Sequence, residues 1–435
     1  MSSGFDSADL ARCEDALRLA IEYGVWDTAI TAKLRSMVGE TAAALVLATA
    51  KLHPKAQQKL GPGIWWCTER SLQQSTARQV ADLKAEWIAG APVYDLCCGI
   101  GGDTVSIARA TASSATPVVG VDLDPMMVAM ATENLRLNLE SDHSIDNRCE
   151  LKCAAIESLG IPSQSSIQID PDRRDDCGRK TRPQDYAPPW PIVQKSLEGC
   201  FAGLVKLAPA AEIDDHPDHH RVWISLSGSV REQSLLVARA IDQAGEVVSQ
   251  ALKPGSRSAI AIDHQGRPAV FSSDHPYHAD SANGAFGGRS ANDSVEWADK
   301  PLAWMVDPDA AIRAAGLTAE FATTNSLAAL GGPAGFLTGP ESARGDMAIC
   351  EPVIWNGACD DRKLRKTLRS LDVYPVRIKT RGVAQNPNVL EKRYRDCGQH
   401  PVTLWIGKTA RRQFAAITRP QDSAAACDER IVPNG

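Results

Sequence analysis

The segment 93–108 constrains the fold of this chain more than any other. A short apolar run there gives way to three closely spaced glycines, Gly99, Gly101 and Gly102, and then to a helical pattern. Glycine adopts positive φ angles without a Cβ penalty and lets a ligand approach the backbone, and the first turn of a helix has free N–H groups. The segment therefore predicts a strand, a tight turn and a helix that together can hold a cofactor.

A second predicted strand, 118–122, ends in Asp122, which lies 27 residues after Asp95. In a doubly wound sheet this strand end lies beside the glycine turn, where a carboxylate can accept hydrogen bonds from both hydroxyls of a ribose. Dinucleotide sites use G-x-G-x-x-G, whereas this turn reads G-x-G-G and is flanked by Asp95 and Asp103. Carboxylates repel a pyrophosphate and suit a cationic sulfonium, so the pattern favours S-adenosylmethionine. A glycine turn without a ligand is the alternative.

Two motifs carry a family resemblance: D-x-x-C-G-x-G-G, which starts at Asp95, and V-x-V-D-x-D-P, which contains Asp122. They resemble the class I S-adenosylmethionine-dependent methyltransferases, and within them the RNA cap guanine-N2 methyltransferase-like branch. The resemblance implies a Rossmann-like sheet, S-adenosyl-L-methionine as the cofactor, and Asp122 as the residue that holds its ribose. It also implies that the methionine part of the cofactor lies against the turn residues Asp95, Cys97, Gly99, Gly101 and Gly102.

A further predicted strand, 167–170, ends in Asp170-Pro171-Asp172-Arg173-Arg174. Substrates bind at such strand ends in open α/β sheets. In methyltransferases that act on exocyclic amines, the matching motif is Asp, Asn or Ser followed by two prolines and an aromatic residue. The resemblance therefore implies that Asp170 and Pro171 position the nucleophile. The second proline and the aromatic residue are missing here.

In their place stand Asp172, Arg173 and Arg174, and the two arginines could stack on a base or bind a phosphate. Ion pairs with the neighbouring acids Asp172, Asp175 or Asp176 explain them equally well.

The length of the chain predicts several domains, because 435 residues exceed one ordinary hydrophobic core. The expected fold is α/β: a Rossmann-like class I methyltransferase sheet with an N-terminal helical region and a small α+β C-terminal domain. The predicted divisions are a helical region at 1–90, the methyltransferase domain at 91–274, a linker or insertion at 275–300, the C-terminal domain at 301–420 and a tail at 421–435.

Three local predictions concern the methyltransferase domain and the segment that precedes it. The segment 191–207 is predicted to be helical. Segments 257–263 and 268–272 are predicted to form the closing hairpin, where methyltransferase folds place their last two strands. The polar segment 73–76 resembles a leader that folds over the cofactor pocket, and a capped helix start explains it nearly as well.

The C-terminal part is strongly basic. Between Arg362 and Arg419 there are fifteen lysines and arginines and three acids, a local charge of +12; since the whole chain carries −6, the remainder carries −18. Such polarity favours a polyanionic partner. A solvated basic face without a partner is the alternative.

The region 304–420 resembles the THUMP-like domain that accompanies this methyltransferase branch in bacteria, through the segments 307–317, 351–354 and 378–383. The name of that domain and the charge of this region make RNA the expected partner. The candidate phosphate contacts are Lys379, Arg381, Lys392, Arg393, Arg395, Lys408, Arg411 and Arg412.

Several classes are disfavoured. No apolar run of about 18 residues occurs, and the first residues lack a secretory signal, so a cytoplasmic protein without a membrane partner is expected. The acidic, histidine-containing segment 212–220 lacks helical spacing and an E-x-x-H pattern, which favours a solvated loop over a metal site. The sequence leaves the oligomeric state open.

Together these features predict an S-adenosylmethionine-dependent methyltransferase that acts on a base of RNA. One alternative keeps the cofactor but methylates a small molecule or a protein. The other is a non-catalytic RNA-binding factor that has retained the cofactor fold.

Overall fold

A computed structural model describes residues 5–24, 28–114, 116–139, 148–175, 178–179, 182–273, 295–332, 335–409 and 412–420. The predicted tail, most of the predicted linker, Asp176 and Arg411 lie outside these residues. The chain divides into two compact units. The first comprises residues 1–226, 231–257 and 264–266, and the second comprises 227–230, 258–263 and 267–435.

The first unit begins with helices, as the sequence predicts. They are α1 (Ser7–Arg12), α2 (Glu14–Tyr23), α3 (Thr28–Val38), α4 (Glu40–Leu60), α5 (Glu69–Gln74) and α6 (Arg78–Trp87). The buried faces of α1 to α4 share a core with α7 (Gly102–Ala110) and α8 (Pro125–Leu139). Trp65 and Trp66 are fully buried in that core. The N-terminal helices therefore support the helix that follows the glycine turn.

The strands of the first unit form one sheet in the order β8-β9-β7-β4-β1-β2-β3. Five of them are parallel neighbours and β9 runs antiparallel to β7. In the register, Leu96 lies opposite both Val121 and Ile169, so the chain leaves β1, β2 and β4 at one edge. Their bounds are β1 (Val93–Leu96), β2 (Val118–Asp122), β3 (Cys149–Cys153), β4 (Ser166–Ile169), β7 (Ala202–Leu207), β8 (His219–Leu226) and β9 (Ser229–Ala238).

Smaller elements complete this unit. The two-residue strands β5 (Arg174–Asp175) and β6 (Gly178–Arg179) pair with each other, and α9 (Trp190–Leu197) and α10 (Arg239–Val247) follow. The prediction of one helix over 191–207 is wrong in its second half. Helix α9 ends at Leu197, and Ala202–Leu207 is a strand with all six residues buried.

The predicted place of the closing hairpin is also wrong. The antiparallel strand beside β7 is β9, and β8 is its other neighbour. Strand β9 escaped prediction because Glu232, Gln233 and Ser234 are polar although buried, so its apolar run is limited to the four residues 235–238. The segments 257–263 and 268–272 do form a hairpin, β10 (Arg257–Ile262) and β11 (Pro268–Ser272), which is paired from Ser258 onwards within the second unit.

The second unit also contains a mixed sheet in the order β13-β14-β12-β15-β18-β17-β16. Only β16 and β17 pair in parallel. Its strands are β12 (Trp304–Pro308), β13 (Ala328–Leu330), β14 (Phe336–Gly339), β15 (Ala348–Ala358), β16 (Val373–Thr380), β17 (His400–Lys408) and β18 (Gln413–Thr418). Its helices are α11 (Ala310–Ala314), α12 (Thr318–Thr324), α13 (Asp361–Ser370) and α14 (Pro387–Tyr394).

Helices α13 and α14 bury leucines against this second sheet, in a core that includes Leu364, Leu368, Leu390 and Leu404. The α/β class, the Rossmann-like sheet, the N-terminal helices and the α+β C-terminal unit agree with the prediction. None of the helices in the described part of the chain has the length and apolar character that a membrane span requires.

Candidate cofactor and substrate site

The glycine turn follows β1 in a left-handed conformation. Cys97, Gly99 and Gly101 have φ angles of 61°, 56° and 78°. A Cβ on Gly101 would lie 3.0 Å from Leu135 and 3.1 Å from Ala131, so packing against α8 requires glycine there. A Cβ on Gly99 would meet no atom of the described residues within 4 Å apart from its two chain neighbours. The backbone at Gly99 is therefore open to a ligand, whereas Gly101 serves the packing of the turn.

Asp122 ties the end of β2 to this turn. The N–H of Gly99 donates to Oδ2 at 2.8 Å, and the N–H of Asp124 donates to Oδ1 at 2.9 Å. Burial raises the pKa of Asp122, and these backbone donors partly offset the effect. Each carboxylate oxygen has a second lone pair, so Asp122 can also accept hydrogen bonds from ligand hydroxyls.

Leu123 was not predicted as a site residue. Its side chain is 72% exposed immediately after Asp122. It provides an apolar surface beside the carboxylate. Exposure of a leucine at a strand end is visible only in the structure, so no sequence signal pointed to it.

Asp95 and Asp103 were predicted to flank a cationic cofactor, but both are buried. Asp95 accepts a hydrogen bond from the Thr104 hydroxyl at 2.5 Å. Burial and the nearby carboxylate of Asp103 raise the pKa of Asp95 to about 7. Asp95 therefore supports the first turn of α7 from within the protein.

The charge of Asp103 is compensated by Lys84, which α6 contributes from the N-terminal helices. The Lys84 ammonium lies 3.2 Å from Asp103 and 3.0 Å from Glu232. Burial alone would raise the pKa of Asp103, but Lys84, together with Lys206 and Thr76, lowers it to about 2. The charge of Asp103 is thus compensated within the protein, and its attraction for a sulfonium stays a prediction.

Asp170 lies at the same sheet edge and is held by a lysine that sequence reasoning missed. Lys206 of β7 donates to Asp170 Oδ2 at 2.6 Å and to the Thr76 hydroxyl at 2.9 Å. The Lys206 side chain is 5% exposed and that of Asp170 is 23% exposed. Oδ1 of Asp170 has no partner among the described residues, so it can accept a hydrogen bond from a substrate.

The segment 73–76 contacts the same strand end. The Gln74 amide donates to Asp172 at 3.0 Å, Arg70 lies 3.4 Å from that carboxylate, and Thr76 binds Lys206. A capping role does not account for these contacts. Helix α5 is capped by Thr68, and α6 begins without a side-chain cap. The polar segment therefore packs on the Asp170–Asp172 strand end, and its folding over the cofactor pocket stays a prediction.

Residues 171–173 follow Asp170 and differ in burial and in hydrogen bonding. Pro171 is buried, and Asp172 is bound by Arg70 and Gln74. Nη1 of Arg173 is buried without a hydrogen-bond partner among the described residues. Arg174 belongs to β5, but its side chain, like Asp176, lies outside the described part. The described contacts thus give Arg173 no ion pair with Asp172.

Asn134 of α8 is a further residue that the sequence did not point to. Its amide donates to the carbonyls of Ile100 at 2.9 Å and Trp66 at 3.0 Å, and its Oδ1 accepts from the N–H of Trp66 at 2.6 Å. It is fully buried. Asn134 therefore fixes the glycine turn against the segment that leads into α5.

Two of the phosphate candidates in the second unit converge on one acid. Lys379 lies 2.7 Å and Arg381 3.3 Å from Asp307, and Arg313 lies 2.9 Å from the same carboxylate. Asp307 is buried. These lysine and arginine side chains are partners of an internal carboxylate, so their availability for a phosphate is lower than the sequence suggested.

The remaining candidates lie near the surface. Arg393 pairs with Asp361 at 3.3 Å, and Arg395 lies 3.5 Å from Asp396. Lys392, Lys408 and Arg412 are exposed. Arg411 lies outside the described residues.

The predicted loop 212–220 is a loop only up to Asp218, because His219 and His220 already belong to β8. Across the described ranges, no group of three or more His, Cys, Asp or Glu side chains is arranged to hold a metal ion. His216 and His219 stack with their ring centroids 4.3 Å apart. His220 is buried and bonded to the Lys253 carbonyl at 2.7 Å, and burial lowers its pKa to about 4.

No protein-family model matches the chain. Two strains of Mycobacterium tuberculosis, CDC 1551 and H37Rv, contain a relative described as an uncharacterized S-adenosylmethionine-dependent methyltransferase. It is 29% identical over 400 residues, which cover 88% of this chain and 98% of the relative. A crystal structure from Porphyromonas gingivalis W83, of a protein inferred to be a methyltransferase, matches 96% of this chain and all of that one, with a TM-score of 0.67 and 16% identity. The chain has the class I methyltransferase fold.

Proposed function

We propose that the protein transfers a methyl group from S-adenosylmethionine to a base of RNA. It is an S-adenosylmethionine-dependent methyltransferase. Its fold is that of the class, and the mycobacterial relatives, which it matches along nearly their whole length, are described by this activity. The observation that carries the choice of RNA is the local charge of +12 between Arg362 and Arg419 in a chain whose net charge is −6. We further propose that the C-terminal unit is THUMP-like.

The residues at the glycine turn fit this cofactor. The open space at Gly99 accommodates a ligand against the backbone, and the free lone pairs of Asp122 suit ribose hydroxyls. Leu123 offers an apolar contact beside them. We assign Gly99, Asp122 and the backbone of Cys97 to direct contact, and Asp95, Gly101 and Gly102 to the support of the turn. When bound, the cofactor supplies an electrophilic methyl group on a sulfonium.

Asp170 is the residue that orients the nucleophile in this proposal. Lys206 compensates its charge and fixes its carboxylate through Oδ2, which leaves Oδ1 to accept an N–H of an exocyclic amine. Such a hydrogen bond aligns the nitrogen lone pair for an in-line displacement, a reaction that depends on alignment more than on acid–base groups. Pro171 limits the backbone freedom of the same segment.

The test uses methyl-tritiated S-adenosylmethionine, fractionated total RNA and the full chain, with label counted in acid-precipitable material. We expect label in RNA, its strong reduction in Asp170→Asn, and normal cofactor binding by that variant in calorimetry. Asp122→Ala should instead weaken cofactor binding. Label confined to protein or small molecules, or no label despite cofactor binding, would contradict the RNA assignment.

A further inference from the structure

We propose that the outer face of α13 is the main RNA-docking surface of the second unit. The inference rests on the proposed function and names the surface that binds its substrate. Helix α13 holds five cations and one acid in ten residues. Leu364 and Leu368 are buried in the core of the unit, so the helix has a defined inner face.

The cations occupy the side of α13 opposite those leucines. At about 100° per residue, the side chains of Arg362, Lys363, Lys366 and Arg369 fall within an arc of roughly 120°. All four are exposed. Over the eight residues from the first to the last of them, the helix rises about 10 Å, which gives a polyanion several contacts along one line.

These four cations have no ion pair among the described residues. The one acid of the helix, Asp361, binds Arg365 at 3.1 Å, Arg393 at 3.3 Å and the Tyr394 hydroxyl at 2.8 Å. Like charges one turn apart repel each other on a helix. Arg362 and Lys363 also lie in the first turn, where the helix dipole disfavours cations. Helix stability therefore does not explain this arrangement, whereas a polyanionic partner does.

Helix α14 is attached to the start of α13. Arg393 and Tyr394 attach the end of α14 to Asp361 at the start of α13. Lys392, which precedes Arg393 on α14, is exposed. By contrast, Lys379 and Arg381 are partly buried around Asp307, with side-chain exposures of 15% and 31%. The exposed cations of the basic C-terminal region are thus more numerous on α13 than in the 379–381 segment.

The experiment compares two variants of equal charge in the full chain. The first carries Arg362→Gln, Lys363→Gln, Lys366→Gln and Arg369→Gln. The matched control carries Arg267→Gln, Lys300→Gln, Arg344→Gln and Arg419→Gln, four exposed cations of the same unit that lie outside α13 and are not among the candidate phosphate contacts. The probe is a fluorescently labelled single-stranded RNA of mixed sequence, titrated at several salt concentrations. Circular dichroism and cofactor binding by calorimetry verify the fold of both variants.

We expect the α13 variant to bind this RNA at least tenfold more weakly than the unmodified chain and to lower the slope of log K against log salt by about 3, since each single-strand phosphate contact contributes about 0.7. The control should change both quantities much less. Equal losses of RNA affinity in the two variants, or no loss in the α13 variant, would overturn the proposal that α13 is the docking surface. The proposal that RNA is the substrate would still stand.

If no RNA binds the unmodified chain at low salt, the proposed function itself fails. Competition with polyglutamate separates RNA recognition from general attraction to polyanions. Displacement of the RNA by polyglutamate at equal charge concentration would overturn the assignment of α13 to RNA.

Discussion

The two units use their cations in opposite ways. At the sheet edge of the first unit, Lys84 and Lys206 are buried and each is held between protein groups. On α13 of the second unit, four cations are exposed and have no ion pair in the described part of the chain. Buried charge fixes side chains in place, and exposed charge attracts mobile partners in a salt-dependent way. Under the proposed function, the first region aligns the nucleophile and α13 binds the RNA.

The largest expected effect is on the stability of the first unit. Replacing Lys84→Met leaves Asp103 and Glu232 as buried, unpaired carboxylates, and should lower the free energy of unfolding by about 3–5 kcal/mol. Urea denaturation measures it. The control Arg267→Met removes an exposed pair, 2.8 Å from Asp263, and should cost less than about 1 kcal/mol. Similar losses of unfolding free energy in both variants would contradict the contrast between buried and exposed ion pairs.

The next effect is on methyl transfer. Lys206→Met should reduce the rate of RNA methylation at least tenfold, because Asp170 loses the partner that fixes its carboxylate. Thr76→Val, which removes only the hydroxyl bonded to Lys206, should reduce it less. Initial rates at saturating cofactor measure both. An unchanged rate in a folded Lys206→Met protein would show that the orientation of Asp170 does not matter.

The pH dependence of stability tests the burial of Asp95. Its pKa is raised from 3.8 to about 7, so the folded state binds the extra proton between these values and stability falls as the pH rises through them. Asp95→Asn removes this slope. The variant should gain stability over the unmodified chain by up to about 1.4 kcal/mol per pH unit between pH 4 and 7. A constant difference across this range would contradict the assigned environment of Asp95.

The smallest effect concerns α13. The pair Arg362→Gln and Lys363→Gln removes cations from the first turn of the helix, and should raise stability slightly, by at most about 0.5 kcal/mol per cation. The matched change Arg369→Gln, in the last turn, should lower it slightly for the same reason. Thermal unfolding at low salt measures both. A marked loss of stability in the first-turn variant would indicate that these cations have structural partners.

The sequence predicted the parts of the site that depend on local pattern. The glycine turn, Asp122 and Asp170 follow apolar strands, and parallel strands end at a common edge, so their proximity followed from the pattern alone. Lys206 was missed because 202–207, an apolar strand, was joined to the preceding helix. The pairing of Lys84 with Asp103 and Glu232 joins three distant segments, which no local pattern reveals.

In the second unit, too, the sequence shows which cations are present but not which of them have partners. The count of cations correctly located a basic region, but the sequence could not tell which cations are free. Lys379 and Arg381 are separated from Asp307 by more than seventy residues, and only the fold brings them together. On α13 the helical spacing of buried leucines was available in the sequence and would have identified the exposed cations.

The most direct test of the account is a steady-state comparison of RNA methylation by two variants. Asp170→Asn should lower kcat and leave the KM for RNA nearly unchanged, because Asp170 aligns the nucleophile. The α13 variant with four glutamines should raise the KM for RNA about tenfold and leave kcat nearly unchanged, because α13 only binds. Effects of both variants on the same parameter, or methylation of RNA that is independent of Asp170, would contradict the division between aligning and binding regions.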